Sequence, residues 1–253
     1  MTRELIFLGF WLGTRDLLRT YRGSILGPWW ATLGLAAQIS VITLIFSFAL
    51  NSDWRLYVAY VTLGMVMWNF LSTTLNDSCF AFSGSAHMLR QMYVPSYLIV
   101  LRVFSKHLLA MAHNIVLVIT AFALRGSTLP LSNVGAGLLG LTTFVLFVFF
   151  SAVVVSILSA RFKDMPPIVS SVMMLAFYAT PVFWYRDQIP SDLVLKVLAI
   201  NPISHYFSVT RDPLLGTGTD LVSYVPVLTA LAVCAAFAHV VVRRFGRQSV
   251  FWV

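Results

Sequence analysis

Arg19-Thr-Tyr-Arg-Gly-Ser-Ile-Leu-Gly-Pro-Trp-Trp30 separates two kinds of chain. Ahead of its break, Arg15, Arg19 and Arg22 fall on one face at helical spacing. Ile6, Phe10, Leu17 and Tyr21, with Phe7, Trp11 and Leu18 beside them, form the opposite face. A basic amphipathic helix of this kind, over residues 1–24, is expected to lie in the headgroup layer of a bilayer. Gly23, Gly27 and Pro28 end it. Beyond them the chain runs to Leu50 without a charge, about the ~20 residues that cross a hydrocarbon core. Pro28 suits the first turn of that span, where its missing amide hydrogen is not needed, and Trp29 and Trp30 suit the headgroup boundary. A soluble amphipathic helix feeding a core helix is the competing reading, and it leaves so long an uncharged run unexplained.

Composition extends the membrane reading to the whole chain. Of 253 residues, 59% are hydrophobic and 10% charged, and the mean hydropathy is +0.86. No stretch is polar enough for a separate soluble domain, so one transmembrane domain over 1–253 is expected. A net charge of +8 suggests nucleic acid in a soluble protein, but here the basic residues sit at the ends of apolar runs, where they set orientation. Cys79 and Cys234 lie in apolar runs, without metal-ligand spacing, and read as buried thiols. The first residues lack a cleavage site and a continuous apolar core, so the amino terminus is expected to be retained.

The hydropathy pattern predicts an all-α protein with six spans, over 27–50, 56–82, 97–124, 134–158, 167–184 and 222–242. Residues 83–95 are too polar and too short to span. There Met88 and Met92, with Leu89 and Tyr93 on the adjacent row, form a short amphipathic connector helix that Pro95 ends. Residues 185–221 carry Pro190, Pro202 and Pro213 between short apolar patches, and are expected to form short re-entrant helices in the outer leaflet. With the amino terminus in the cytoplasm, twelve of the seventeen Lys and Arg lie on that side and five outside, and both termini are cytoplasmic.

Polar residues within spans are the informative ones, because each costs free energy unless it faces a cavity, a helix or a partner. Arg102, Lys106 and His113 fall on one face of the third span, with His107 and Asn114 adjoining. Such a stripe can line a hydrated conduit for an anionic substrate; equally, Arg102 and Lys106 can snorkel to the inner headgroups while the histidines bond to neighbouring helices. Asp77 sits near enough in the pattern to pair with Arg102 or Lys106. The spans offer no nucleophile with a base, no metal-ligand cluster and no phosphate-binding glycine loop, so no catalytic or metal site is predicted. Proton coupling wants a deep acid, and Asp77 is the sole candidate. Energy for uphill movement must then come from another subunit. Tyr178, Phe183, Trp184 and Tyr185 end the fifth span, where a kink at Pro181 would turn them towards the outer mouth. Their rings suit either stacking on sugar or anchoring at the interface.

The order of parts resembles the permease subunit of type-two ABC exporters of polysaccharide, the O-antigen, capsule and teichoic acid transporters. The resemblance covers nearly the whole chain. It rests on Tyr21-Arg22 with Ser24, Leu26-Gly27-Pro28 and Trp30, and on Tyr93-Val94-Pro95. It continues through Arg161-Phe-Lys-Asp164, Thr180-Pro181-Val182, Asn201-Pro202, and Arg211-Asp212 through Leu214-Leu215-Gly216. Each motif is short, and the specificity lies in their order and spacing. The resemblance implies a homodimer with a channel between its copies, and two cytoplasmic ABC ATPase subunits that bind ATP and Mg, with no cofactor on this chain. It implies a bacterial inner-membrane location and a glycan substrate, lipid-linked in the leading reading. It casts His87, Met88, Leu89, Arg90, Met92 and Tyr93 as the ATPase connector, with the Arg15, Arg19 and Arg22 helix nearby. Asn201, Pro202, Arg211 and Asp212 fall in its outer gate. Ser96 departs from the pattern, standing after Pro95 where relatives often carry an acid. The rival readings are a small-molecule or drug ABC exporter, a membrane transferase acting on lipid-linked sugars, and a stand-alone channel.

Overall fold

A computed structural model describes residues 3–49, 52–91, 94–126, 131–186, 192–218, 221–246 and 248–252, apart from the side chains of 90, 131, 132, 193–195, 221, 250 and 251. The described chain is helical. In order it forms α1 (Arg3–Thr20), α2 (Trp29–Ala49), α3 (Trp54–Ser78), α4 (Ala86–Gln91), α5 (Ser96–His113) and α6 (Ile115–Arg125). There follow α7 (Leu131–Arg161), α8 (Met165–Ala179), α9 (Asp192–Ile200), α10 (Pro202–Leu215) and α11 (Tyr224–Phe245). Five stretches, α2, α3, α5 with α6, α7 and α11, are long and apolar enough to cross a membrane.

The bundle is arranged around α3. Its most apolar stretch is 83% buried, against 17% to 39% for the other four, so α3 is wrapped by protein while its neighbours keep an outer face for lipid. Tyr57, Val61 and Leu71 are wholly enclosed there. α2, α5, α6, α7, α8 and α10 all pack against it.

Close helix approach depends on small residues, since apolar side chains gain nothing by leaving lipid for a helix interface. α1 buries Gly9, Gly13 and Leu17, at four-residue spacing, against α5. A Cβ on Gly9 would lie 2.5 Å from Leu101 Cδ2, and one on Gly13 2.7 Å from the Arg102 carbonyl oxygen. Ile6, Phe7, Leu8, Trp11 and Leu18 are left turned outward, a pattern suited to acyl chains. The chain then leaves α1 through Gly23 and Gly27, both in the left-handed region, and α2 starts immediately after Pro28. Gly137 and Gly140 of α7 do for α10 what Gly9 and Gly13 do for α5: a Cβ on Gly140 would come within 2.5 Å of the Val209 carbonyl oxygen. Pro213 has no amide hydrogen to offer that carbonyl, so the seam runs where the α10 ladder is already interrupted.

The helices differ in detail from the expected spans. The third span is two helices, broken at Asn114, whose side-chain oxygen accepts a hydrogen bond from Thr32 Oγ1 at 2.9 Å in a buried setting. The fifth span does not reach Trp184. α8 stops at Ala179, and its 15 residues extend only about 22 Å. Thr180 is extended (φ −114°, ψ 138°), the conformation imposed on a residue before proline, so Pro181 ends the helix instead of kinking it. The connector is a 3-10 turn (Ser83–Ser85) followed by α4, with Leu89 buried in the core and Met88 half-buried against it. Ser96, the departure noted above, donates its hydroxyl to the Gly246 carbonyl and ties the start of α5 to the end of α11.

The tight seams predict the outcome of adding one methyl group. Gly64→Ala places a Cβ about where the Val182 carbonyl stands, with 2.2 Å between them, and should destabilise the purified protein by roughly 1–3 kcal/mol. Gly34→Ala, in open space on α2, should be neutral or slightly stabilising. Thermal unfolding in detergent checks both, and equal midpoints for the two variants would refute the packing.

Candidate functional site

Three features occupy successive levels of the bundle. At the end holding the connector, Arg102 on α5 meets Asp16 on α1, with Nη2 donating to Oδ1 at 2.8 Å and Nε donating to Oδ2. One turn on, Lys106 Nζ and His107 Nε2 both stand 2.9 Å from Asp77 Oδ2 at the end of α3. Arg102 and Lys106 are therefore each held in an ion pair, and the bond that Asp77 makes is to Lys106 and His107, not Arg102. Beside these pairs a groove of about 810 Å³ opens between α1 and the connector, lined by Arg15, Arg19, Arg22, His87, Met88 and Gln91. Three arginines and a histidine make this cleft between two helices basic. Of the connector residues named from sequence, Met92, Tyr93 and the Arg90 side chain lie outside the described residues.

From mid-height towards the connector end, α2, α3 and α8 line a groove of about 370 Å³. Its α3 wall is Asn69, Ser72, Thr73 and Asn76, at i, i+3, i+4 and i+7, a polar stripe down one face of an otherwise apolar helix. Gln38 and Ser170 add polar groups from α2 and α8, and Trp68, Phe177 and Tyr178 supply ring faces. Asn76 Nδ2 donates to the Ser72 carbonyl at 2.8 Å and Thr73 Oγ1 to the Asn69 carbonyl at 2.6 Å, which satisfies part of the stripe within the helix. The remaining amide and hydroxyl groups face the groove. Of the aromatic residues named from sequence, Tyr178 alone reaches it, and it is 65% exposed. The stripe was missed in the sequence, although four polar residues at helical spacing inside a span were the signal.

The other end of the bundle is closed by the chain following α8. Phe183 packs between Phe46 and Phe177, with centroid distances of 5.1 and 5.3 Å. Tyr57 donates its hydroxyl to the Phe183 carbonyl, and Tyr60 donates to the Trp184 carbonyl at 2.7 Å. Tyr185 lies against Tyr60, 4.3 Å between centroids, and burial pushes its phenol above the ordinary value. Tyr178 and Tyr185 therefore stand in different places and share no face. Asn201 caps α10 by accepting from Ile203 N at 3.0 Å, while its Nδ2 donates to Thr180 Oγ1 at 2.9 Å; Pro202 fills the first helical position. Arg211 is 3% exposed. Its Nη1 donates to the Pro181 carbonyl at 2.8 Å, and its guanidinium carbon lies 3.6 Å from the centre of the Tyr60 ring. Asp212 is beside it, 3.9 Å from Nε.

That arrangement separates two functions of one ring. Tyr60→Phe removes the bond to Trp184 and keeps the ring face, and should cost about 1 kcal/mol. Tyr60→Leu also strips the face from a desolvated guanidinium and should cost about 2 kcal/mol more. Denaturant unfolding of the purified variants measures both, and equal losses would remove Arg211 from the ring.

Comparison with known proteins agrees with this architecture. The chain is 26% identical over 215 residues to an O-antigen export system permease protein RfbA of Klebsiella pneumoniae, covering 85% of this chain and 82% of the relative. A second Klebsiella pneumoniae protein of that name is 23% identical over 198 residues, and one from Myxococcus xanthus 23% over 190, each covering 75% of this chain and 73% of the relative. The sequence profile described as ABC-2 type transporter matches residues 8–215, from α1 through the end of α10. A match across the amphipathic helix, the central bundle and the closing corner covers most of the chain, which belongs to the ABC-2 type transporter family.

Proposed function

We propose that this chain is the membrane permease of an ATP-driven exporter of polysaccharide, with a lipid-linked glycan of the O-antigen kind as substrate. The observation that carries the reading is the groove of Asn69, Ser72, Thr73 and Asn76 with Gln38, Ser170 and Tyr178. Polar groups at that depth are costly against lipid and are explained by a hydrated path. Amides and hydroxyls can exchange hydrogen bonds with sugar hydroxyls, while ring faces meet the C–H faces of the sugar, so a chain can slide without a deep binding minimum. The names of the relatives support the same substrate class. A second copy facing this groove would complete the path.

The chain itself lacks a nucleotide-binding motif, so ATP and Mg belong to a separate ABC subunit. The basic groove between α1 and the connector is its seat in this reading, with Arg15, Arg19, Arg22 and His87 on the cytoplasmic side. Both termini are then cytoplasmic and the Arg211 corner faces outward across the inner membrane.

Replacing Asn69, Ser72 and Asn76 together by Leu closes the polar path without a charge change. With the cognate ATPase co-expressed, surface glycan should fall at least tenfold, on the order of 1.4 kcal/mol or more at the limiting step, at unchanged permease level. Normal surface glycan in that variant would overturn the proposed path.

A further inference from the structure

The corner closed by Arg211 contains a pocket that the export path does not use. It measures about 730 Å³ and lies between the Leu56 and Tyr60 turn of α3, the end of α6 at Arg125, the residues 181–186, and the last turns of α10. Three guanidinium groups line it, Arg125, Arg186 and Arg211, against the single carboxylate of Asp212, so two positive charges are in excess among its described residues. Two of the three are incompletely bonded. Arg125 Nη2 donates to the Leu215 carbonyl at 3.0 Å, yet its buried Nε has no hydrogen-bond partner among the described residues. Arg211, with its side chain 4% exposed, has Nη1 on the Pro181 carbonyl and a buried Nε that lacks a partner within hydrogen-bond distance. Arg186 is exposed at the rim.

A buried guanidinium with an unused donor is costly, because its N–H has lost water and gained nothing. Two unused Nε donors beside one pocket, one on the enclosed Arg211 and one on the half-buried Arg125, with Arg186 at its mouth, mark a place where an anion supplies the missing acceptors. Guanidinium forks match tetrahedral oxyanions better than they match a hydroxyl or an amide, and several forks on one group favour a phosphoryl group with its multiple oxygens. Leu56, Pro181 and Leu215 with the rings of Tyr60 and Tyr185 add apolar surface for the first carbons beyond a headgroup, and Ser208 and Thr217 add hydroxyls that can reach phosphoryl oxygens.

We propose that this pocket binds a phosphoryl group, carried on a lipid headgroup or free as inorganic phosphate or pyrophosphate. Bound there, the group bridges α6, the 181–186 corner and α10, so that occupancy fastens the re-entrant helix to the bundle. The site does not depend on what the protein exports, and its test uses no transport readout.

The full-length chain, purified in an uncharged detergent, is titrated with inorganic pyrophosphate and, separately, with phosphatidylglycerol against a phosphate-free galactolipid, with bound species read by native mass spectrometry. Arg211 also holds the fold, so Arg125→Gln and Arg186→Gln are the test variants and Arg19→Gln, at the other end of the bundle, is the charge control. At least one phosphoryl probe should bind the wild type, and the same probe should bind each test variant about tenfold more weakly, with the control unchanged. Phosphatidylglycerol binding that pyrophosphate does not displace assigns the site to a lipid headgroup; displacement assigns it to the free anion. Binding of neither probe, or equal binding to the wild type and both test variants, overturns the proposal.

Discussion

The guanidinium of Arg211 is the point from which the half of this structure remote from the connector is held. It takes the carbonyl of Pro181, lies on the ring of Tyr60, and comes from α10, so three segments remote in sequence meet at one buried charge. A charge so enclosed is tolerated only with its compensation in place, and removing either the carbonyl or the ring leaves an expensive remainder. The position of Pro181 is set in turn by the early end of α8, and that end by proline's own stereochemistry. The shortness of α8 is thus a consequence of one X-Pro peptide, and it leaves the space into which α10 descends.

α10 fills that space because α7 offers glycine where the two backbones cross. Tyr206 and Phe207 are wholly enclosed, the first donating to the Val227 carbonyl at 2.9 Å, so α10 is a packed wedge and not a surface element. The wedge and the mid-height groove share α3 and the start of the corner at residues 177–183. Movement of α10 would therefore be felt at Phe183 and Phe177, which border the polar stripe.

Much of this was legible in the sequence. The basic amphipathic helix ahead of Pro28, the apolar spans and the family motifs are local patterns, and local patterns are what a sequence displays. The groups decided by distant partners were not. For Arg102 a conduit and the inner headgroups stayed equally open because Asp16, on another helix, gives no local sign of its pairing; the break at Asn114 answers Thr32, 82 residues away. The stripe from Asn69 to Asn76 and the Gly9, Gly13 pair are of the other kind: both are periodic in the sequence itself, where amides and glycines at helical spacing mark a polar face and a close helix contact.

The central claim is that the α2, α3 and α8 groove is the path of a glycan, and a photoreactive side chain placed in it addresses that claim directly. With p-benzoylphenylalanine in place of Tyr178, and the permease and its ATPase working in cells that make the glycan, irradiation should give permease adducts that carry glycan, depleted when ATP hydrolysis on the partner is blocked before the polymer enters. Tyr178 is 65% exposed in the single chain, so the probe is free to react with whatever passes. Adducts to phospholipid alone, with glycan export continuing, would contradict the account.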